Sequence, residues 1–141
     1  MEQYDAQMAR RVWQRVTGTR ESVGSLIAGE SQCVAVCRRL AKQTGDRNGQ
    51  WKALEEQCQQ HIRCLRGIGY LVSGKPEGEL PLKPRQETVA GLLRTGYLQC
   101  VKLTREYRRW AEDEEYGVCF RCLADQKQRQ SLAFLDILGS Q

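Results

Sequence analysis

Seven cysteines, one histidine and a few well-spaced carboxylates are the residues of this chain that could do chemistry. Cys119-x-x-Cys122 has the spacing of a zinc ribbon or a redox dithiol, where two thiolates meet one metal or one another. No second such pair completes a zinc set, and the motif falls several residues inside a helical stretch. Counting about 100° per residue back from Lys127 puts Cys122 on the outer side of that helix and Cys119 on its flank, so both read as exposed or packing thiols. Cys33 and Cys37 share a helix face with Glu30 and read as small core residues. His61 follows Cys58 by three residues on one face. A thiolate and an imidazole so placed can hold a soft metal, although a lone helical histidine is more often a hydrogen-bonded packing residue. The odd cysteine count argues against a disulfide scaffold. No glycine-rich phosphate loop and no Ser/His/Asp arrangement occurs, so phosphoryl transfer and serine-type hydrolysis have no support.

These residues sit on helices. Apolar residues recur at helical spacing nearly throughout, broken by Gly or Pro, and no alternating strand pattern occurs. A short helix is expected from Asp5 to Thr17 with Met8, Val12, Trp13 and Val16 on one face. Longer ones are expected from Arg20 to Thr44, stopped by Gly45, from Gly49 to Ser73, stopped by Gly74, and from Gln86 to Glu112. A last one starts after Asp113, read as its N-cap, and ends near Gly139. The 141 residues, 40% apolar and 28% charged, suit one packed domain, 19–141, behind an N-terminal helical extension, 1–18. No apolar run is long enough for a membrane span and no signal-peptide block opens the chain, so a cytoplasmic location is expected. The net charge of +5, with 16 Arg against 6 Lys, is spread without a block. Arg10, Arg11 and Arg15, like Arg105, Arg108 and Arg109, read as solvated faces without interleaved aromatics, which disfavours nucleic acid as a partner.

All three prolines, Pro76, Pro81 and Pro84, fall between Gly74 and Gln86. A dozen extended residues span about 40 Å, and a 25-residue helix is about 37 Å long, so this segment can return along a whole bundle and leave the helices on either side parallel. The short breaks at Gly45 to Asn48 and near Asp113 join antiparallel neighbours. The two hairpins also repeat one another. At an offset of 69, LEEQCQQHIRCLRGI (Leu54 to Ile68) overlies LADQKQRQSLAFLDI (Leu123 to Ile137), matching Gln57 with Gln126. At an offset of 70, CRRLAKQ (Cys37 to Gln43) overlies YRRWAED (Tyr107 to Asp113), which puts Glu30 over Cys100.

From about Ser25 to Gly139 the sequence resembles the ferritin-like, rubrerythrin-type family, in which each hairpin supplies a Glu, often with Tyr seven residues on, and then Glu-x-x-His. The resemblance implies an all-α ferritin-like four-helix bundle of two hairpins and one long crossover. It also implies a centre where carboxylates and imidazoles from four helices hold two metal ions. On this frame Glu30 keeps its place, Cys37 replaces the Tyr, and Cys58 and His61 stand where Glu-x-x-His falls. Cys100 replaces the second helix-borne Glu, Tyr107 keeps the Tyr, and Lys127 and Gln130 replace the second Glu and His. Of the six ligands only Glu30 and His61 remain.

A lysine in place of a bridging carboxylate opposes metal, and an inward Lys127 would pair with Glu30 in its stead. The expectation is therefore a degenerate ferritin-like protein without its di-iron site, non-catalytic, structural or interacting, with no cofactor. A homodimer or an unidentified protein is its expected partner. The alternative is a repurposed mononuclear zinc or iron site at Glu30, Cys58, His61 and Cys100, and any enzyme built on it would be an oxidoreductase of rubrerythrin type.

Overall fold

The computed structural model describes residues 22–74 and 87–141. Among them are four helices and no strand: α1 (Val23–Thr44), α2 (Gln50–Ser73), α3 (Val89–Trp110) and α4 (Gly117–Gly139). The expected helix at Asp5 to Thr17, its Trp13, the extension 1–18 and the proline-bearing linker lie outside the described residues.

The ends follow from local chemistry. Ser22 caps α1 by accepting from Ser25 N at 3.1 Å, and Thr88 caps α3 by accepting from Gly91 N at 3.0 Å. Both helices therefore start a few residues later than their apolar pattern alone suggests. Gly45 closes α1 at φ +80°, a left-handed conformation that suits glycine. The Asp46 carboxylate then accepts from Trp51 N and Lys52 N, capping α2 from the loop. Asp113 behaves differently from expectation. Its Oδ1 accepts from Glu115 N and Tyr116 N, which closes a turn, and α4 starts only at Gly117.

Contacts fix the topology. Gly29 of α1 lies against Leu103 of α3, while Gln43 donates to the Glu87 carbonyl, so α1 and α3 are antiparallel. Trp51 packs on Phe134 at 5.6 Å between centroids, and His61 meets Gln126, so α2 and α4 are antiparallel too. Short connections make each hairpin antiparallel, which leaves α2 and α3 parallel, as the sequence suggests for helices flanking the prolines. The result is an all-α four-helix bundle of two hairpins, with α1 facing α4 across the centre.

Apolar side chains fill both ends. Trp51 and Phe134 sit at one end, and Trp110, Phe120 and Tyr107 at the other, with Phe120 stacked on Trp110 at 4.7 Å. Burial of this kind is the main source of stability. Gly96 lets α3 approach α4: a Cβ there would lie 2.5 Å from Phe134 Cε1 and 2.7 Å from Cζ. That ring is backed by Trp51 and has little room to move. Gly96→Ala is expected to lose about 1–2 kcal/mol of unfolding free energy in urea titration, overpacking outweighing the helix-propensity gain.

Candidate functional site

Between the two aromatic ends the core turns polar. Glu30 and Lys127 have no solvent-exposed surface, and His61 and Gln130 have almost none. α1 and α4 supply the charges from opposite sides of the bundle. Lys127 Nζ lies 2.5 Å from Glu30 Oε1, an ion-pair contact without the alignment of a directed hydrogen bond. The same ammonium donates to Gln130 Oε1 at 2.7 Å and to Cys58 Sγ at 3.4 Å. An ammonium has three donors, and here each has an acceptor within reach.

The other carboxylate oxygen, Glu30 Oε2, accepts from His61 Nδ1 at 2.9 Å. His61 Nε2 lies 2.5 Å from Oε1 of the Gln126 amide, a group that by turning over presents either a donor or an acceptor. Gln130 Nε2 donates to Gln57 Oε1 at 3.0 Å, and the Cys58 and Cys100 thiols point at Gln130 Oε1. Gln57 and Gln126 are exposed, so amides on the α2–α4 seam link the buried charges to the surface.

Burial works against ionisation of Glu30, but the Lys127 charge and the His61 hydrogen bond outweigh it and hold its carboxyl below the ordinary value of 4.5. Burial likewise opposes the Lys127 ammonium. The Glu30 carboxylate beside it reverses that, so it stays charged well above 10.5. The thiols go the other way. Cys33, within hydrogen-bond reach of Cys100 and Cys58, is pushed up by the first contact and by burial. Cys58 is pushed up by Cys33 and by burial, and Cys37 mainly by burial. Tyr107, fully buried, has its hydroxyl raised by burial and by Glu30, and that hydroxyl has no hydrogen-bond partner.

All six residues singled out in the sequence, Glu30, Cys58, His61, Cys100, Lys127 and Gln130, come together here. The set does not fit a metal. Its Cys58 thiol is held neutral, its one carboxylate is already paired, and an ammonium lies among the donors. Among the described residues no group of three or more His, Cys, Asp or Glu is arranged to hold a metal ion. Two furrows, of about 490 and 410 Å³, lie along α3 and α4, lined in part by Leu132 and Leu135 and by Tyr97 and Arg105, away from these charges.

Cys33 and the two exposed glutamines belong to the network beyond the residues first singled out. The Gln57–Gln126 match of the internal repeat was a signal for the glutamines. Cys119 and Cys122 are exposed, as the angular count suggests, and Cys37 lies in the core. No described helix is long and apolar enough to cross a membrane. No family model, curated protein or solved structure matches the chain.

Proposed function

We propose that this chain is a non-catalytic four-helix bundle of ferritin-like descent in which a protein ammonium stands where metal ions stood, serving as a structural or interaction protein in the cytoplasm, alone, as a homodimer or with a protein partner. The observation that carries this reading is the fully buried Glu30–Lys127 contact at 2.5 Å, made from the positions where the resemblance puts metal ligands. One lysine supplies one positive charge at the carboxylate and donates to Gln130 and Cys58, so the pair offsets its own charge without an ion. Thiols and the Gln130 amide fill the remaining ligand positions. Such a centre preserves the fold and removes the chemistry.

Elemental analysis of the full chain, purified without added metal and without a metal-binding tag, tests this. No metal above trace is expected. About one zinc per chain, lost in Cys58→Ser or Cys100→Ser, or two irons per chain, would overturn the proposal.

A further inference from the structure

The outer face of α3 and α4 is apolar along its middle and charged at its ends. Leu98, Leu132 and Leu135 are exposed there. Leu132 borders both furrows described above, so the two form one trough along the α3–α4 seam. Tyr97, Val101 and Leu132 line its middle, Arg105, Arg108 and Gln128 close one end, and Asp136, Gly139 and Ser140 close the other. Gly96 faces Phe134, so Arg94 of α3 stands level with Asp136 and balances its charge. The trough is therefore cationic at one end only. Between Gln128 and Ser140 the chain advances twelve residues, about 18 Å of helix.

The sequence of residues 5–17, outside the described residues, has the same reach: twelve steps, again about 18 Å when helical. Met8, Val12 and Val16 recur at four-residue steps and Trp13 stands three before Val16, which gives a helix through them one apolar face. Asp5, three before Met8, shares that face at one end, and Arg15 stands near the other. An apolar stripe of this length, anchored by a tryptophan, suits a helix-in-groove contact.

Charge decides which trough it fills. α1 runs antiparallel to α3, with Gly29 at Leu103 and Gln43 at Glu87, so Ser22 lies at the Arg105 and Arg108 end. Residues 5–17 led back from Ser22 into the trough of their own chain would set Arg15 beside Arg105 and Arg108 and carry Asp5 away from them. Like charges would then meet at the one end that is charged. A second copy lying antiparallel brings its Ser22 to the Asp136 end and reverses the match. Its Asp5 meets Arg105 and Arg108, its Met8 stands near Leu132, and its Val12 and Trp13 stand near Leu135. We propose that two copies of the chain associate through this face, residues 5–17 of each filling the α3–α4 trough of the other. The proposal names a second copy as the partner that the proposed function leaves open, and rests on that reading only there.

The test uses the full chain throughout. Light scattering on the wild type should give the mass of two copies, and Leu132→Asp, an exposed change that leaves the core intact, should give the mass of one. Asp5→Arg should weaken association at least about tenfold, and Arg105→Asp in the same chain should recover most of that loss. Irradiation of Trp13→p-benzoylphenylalanine should yield a product with the mass of two chains. Trypsin places residues 12–15, 95–102 and 130–141 on separate peptides, and the expected cross-link joins the first to one of the other two. A single-chain mass for the wild type, a cross-link within one chain, a cross-link to neither α3–α4 peptide, a dimer that survives Leu132→Asp, or no recovery with Arg105→Asp would each overturn the proposal. Metal content of the same sample reports on the buried centre alone, so either conclusion can fail without the other.

Discussion

Replacing Lys127 by Met should lower the unfolding free energy at neutral pH by about 3–5 kcal/mol, the range for stripping one partner from a buried ion pair. Methionine has nearly the length of the lysine stem, so packing is largely kept. What is lost is the only ammonium beside a carboxylate that has no access to water. Glu30→Gln in the same chain removes the stranded charge and keeps a partner for His61, so the double variant should regain a large part of the loss. Single and double variants compared by urea unfolding give the coupling directly. Acid adds a second readout. In the wild type the Glu30 carboxyl lies below its ordinary 4.5, so its ionic contribution is complete above pH 4.5 and is lost as pH falls through the folded value. The Lys127 ammonium lies above 10.5, so its contribution is complete below pH 10.5 and fades only as pH rises through the folded value. In Lys127→Met burial drives the Glu30 carboxyl upward, the folded chain takes up a proton, and the deficit seen at pH 7 should narrow toward pH 4. A deficit independent of pH would place the effect in packing instead of charge.

The second large loss is expected at the aromatic end. Phe120 is fully buried, stacked on Trp110 at 4.7 Å and tilted against Tyr107 at 6.1 Å. Phe120→Ala removes a ring that two large neighbours cannot replace by collapsing, and about 3–5 kcal/mol should disappear from the unfolding free energy. Phe120→Leu keeps most of the volume but forfeits the stacking, and should cost about 1–2 kcal/mol. Chemical denaturation of the two variants checks the order; equal losses would show that the ring contacts, not the cavity, carry the energy.

Much of this was legible in the sequence because helical bundles are specified by periodicity and punctuation. Gly45 and Gly74 mark two helix ends, whereas the starts capped by Ser22 and Thr88 were expected earlier, at Arg20 and Gln86. The position of α4 was less legible. An aspartate that caps a helix and one that closes a preceding turn use the same carboxylate-to-amide bonds, so Asp113 did not reveal that three residues intervene before Gly117. Glu30 and Lys127 were expected to meet because the resemblance to the ferritin-like family puts both at positions that converge on its metal centre. Cys33 joining Cys58 and Cys100 depends on how closely α1 approaches α3. The hydroxyl of Tyr107, buried without a partner, has no sequence signal at all.

The placement of the charges also bears on which half-bundles recognise one another. The two hairpins repeat one another in part, and a repeat can in principle pair with itself, within an exchanged dimer or as an isolated fragment. The repeat is broken at the centre, however: Glu30 answers to Cys100 and Cys58 to Lys127. A bundle made from two first hairpins would bury two carboxylates face to face, and one made from two second hairpins would bury two ammonium groups. Only the unlike combination is neutral inside, so the buried pair acts as a pairing code that rejects self-association of either half. Hairpins exchanged between two chains would still obey it, which makes a swapped dimer, with one first and one second hairpin in each bundle, the only exchanged assembly whose interior charges match.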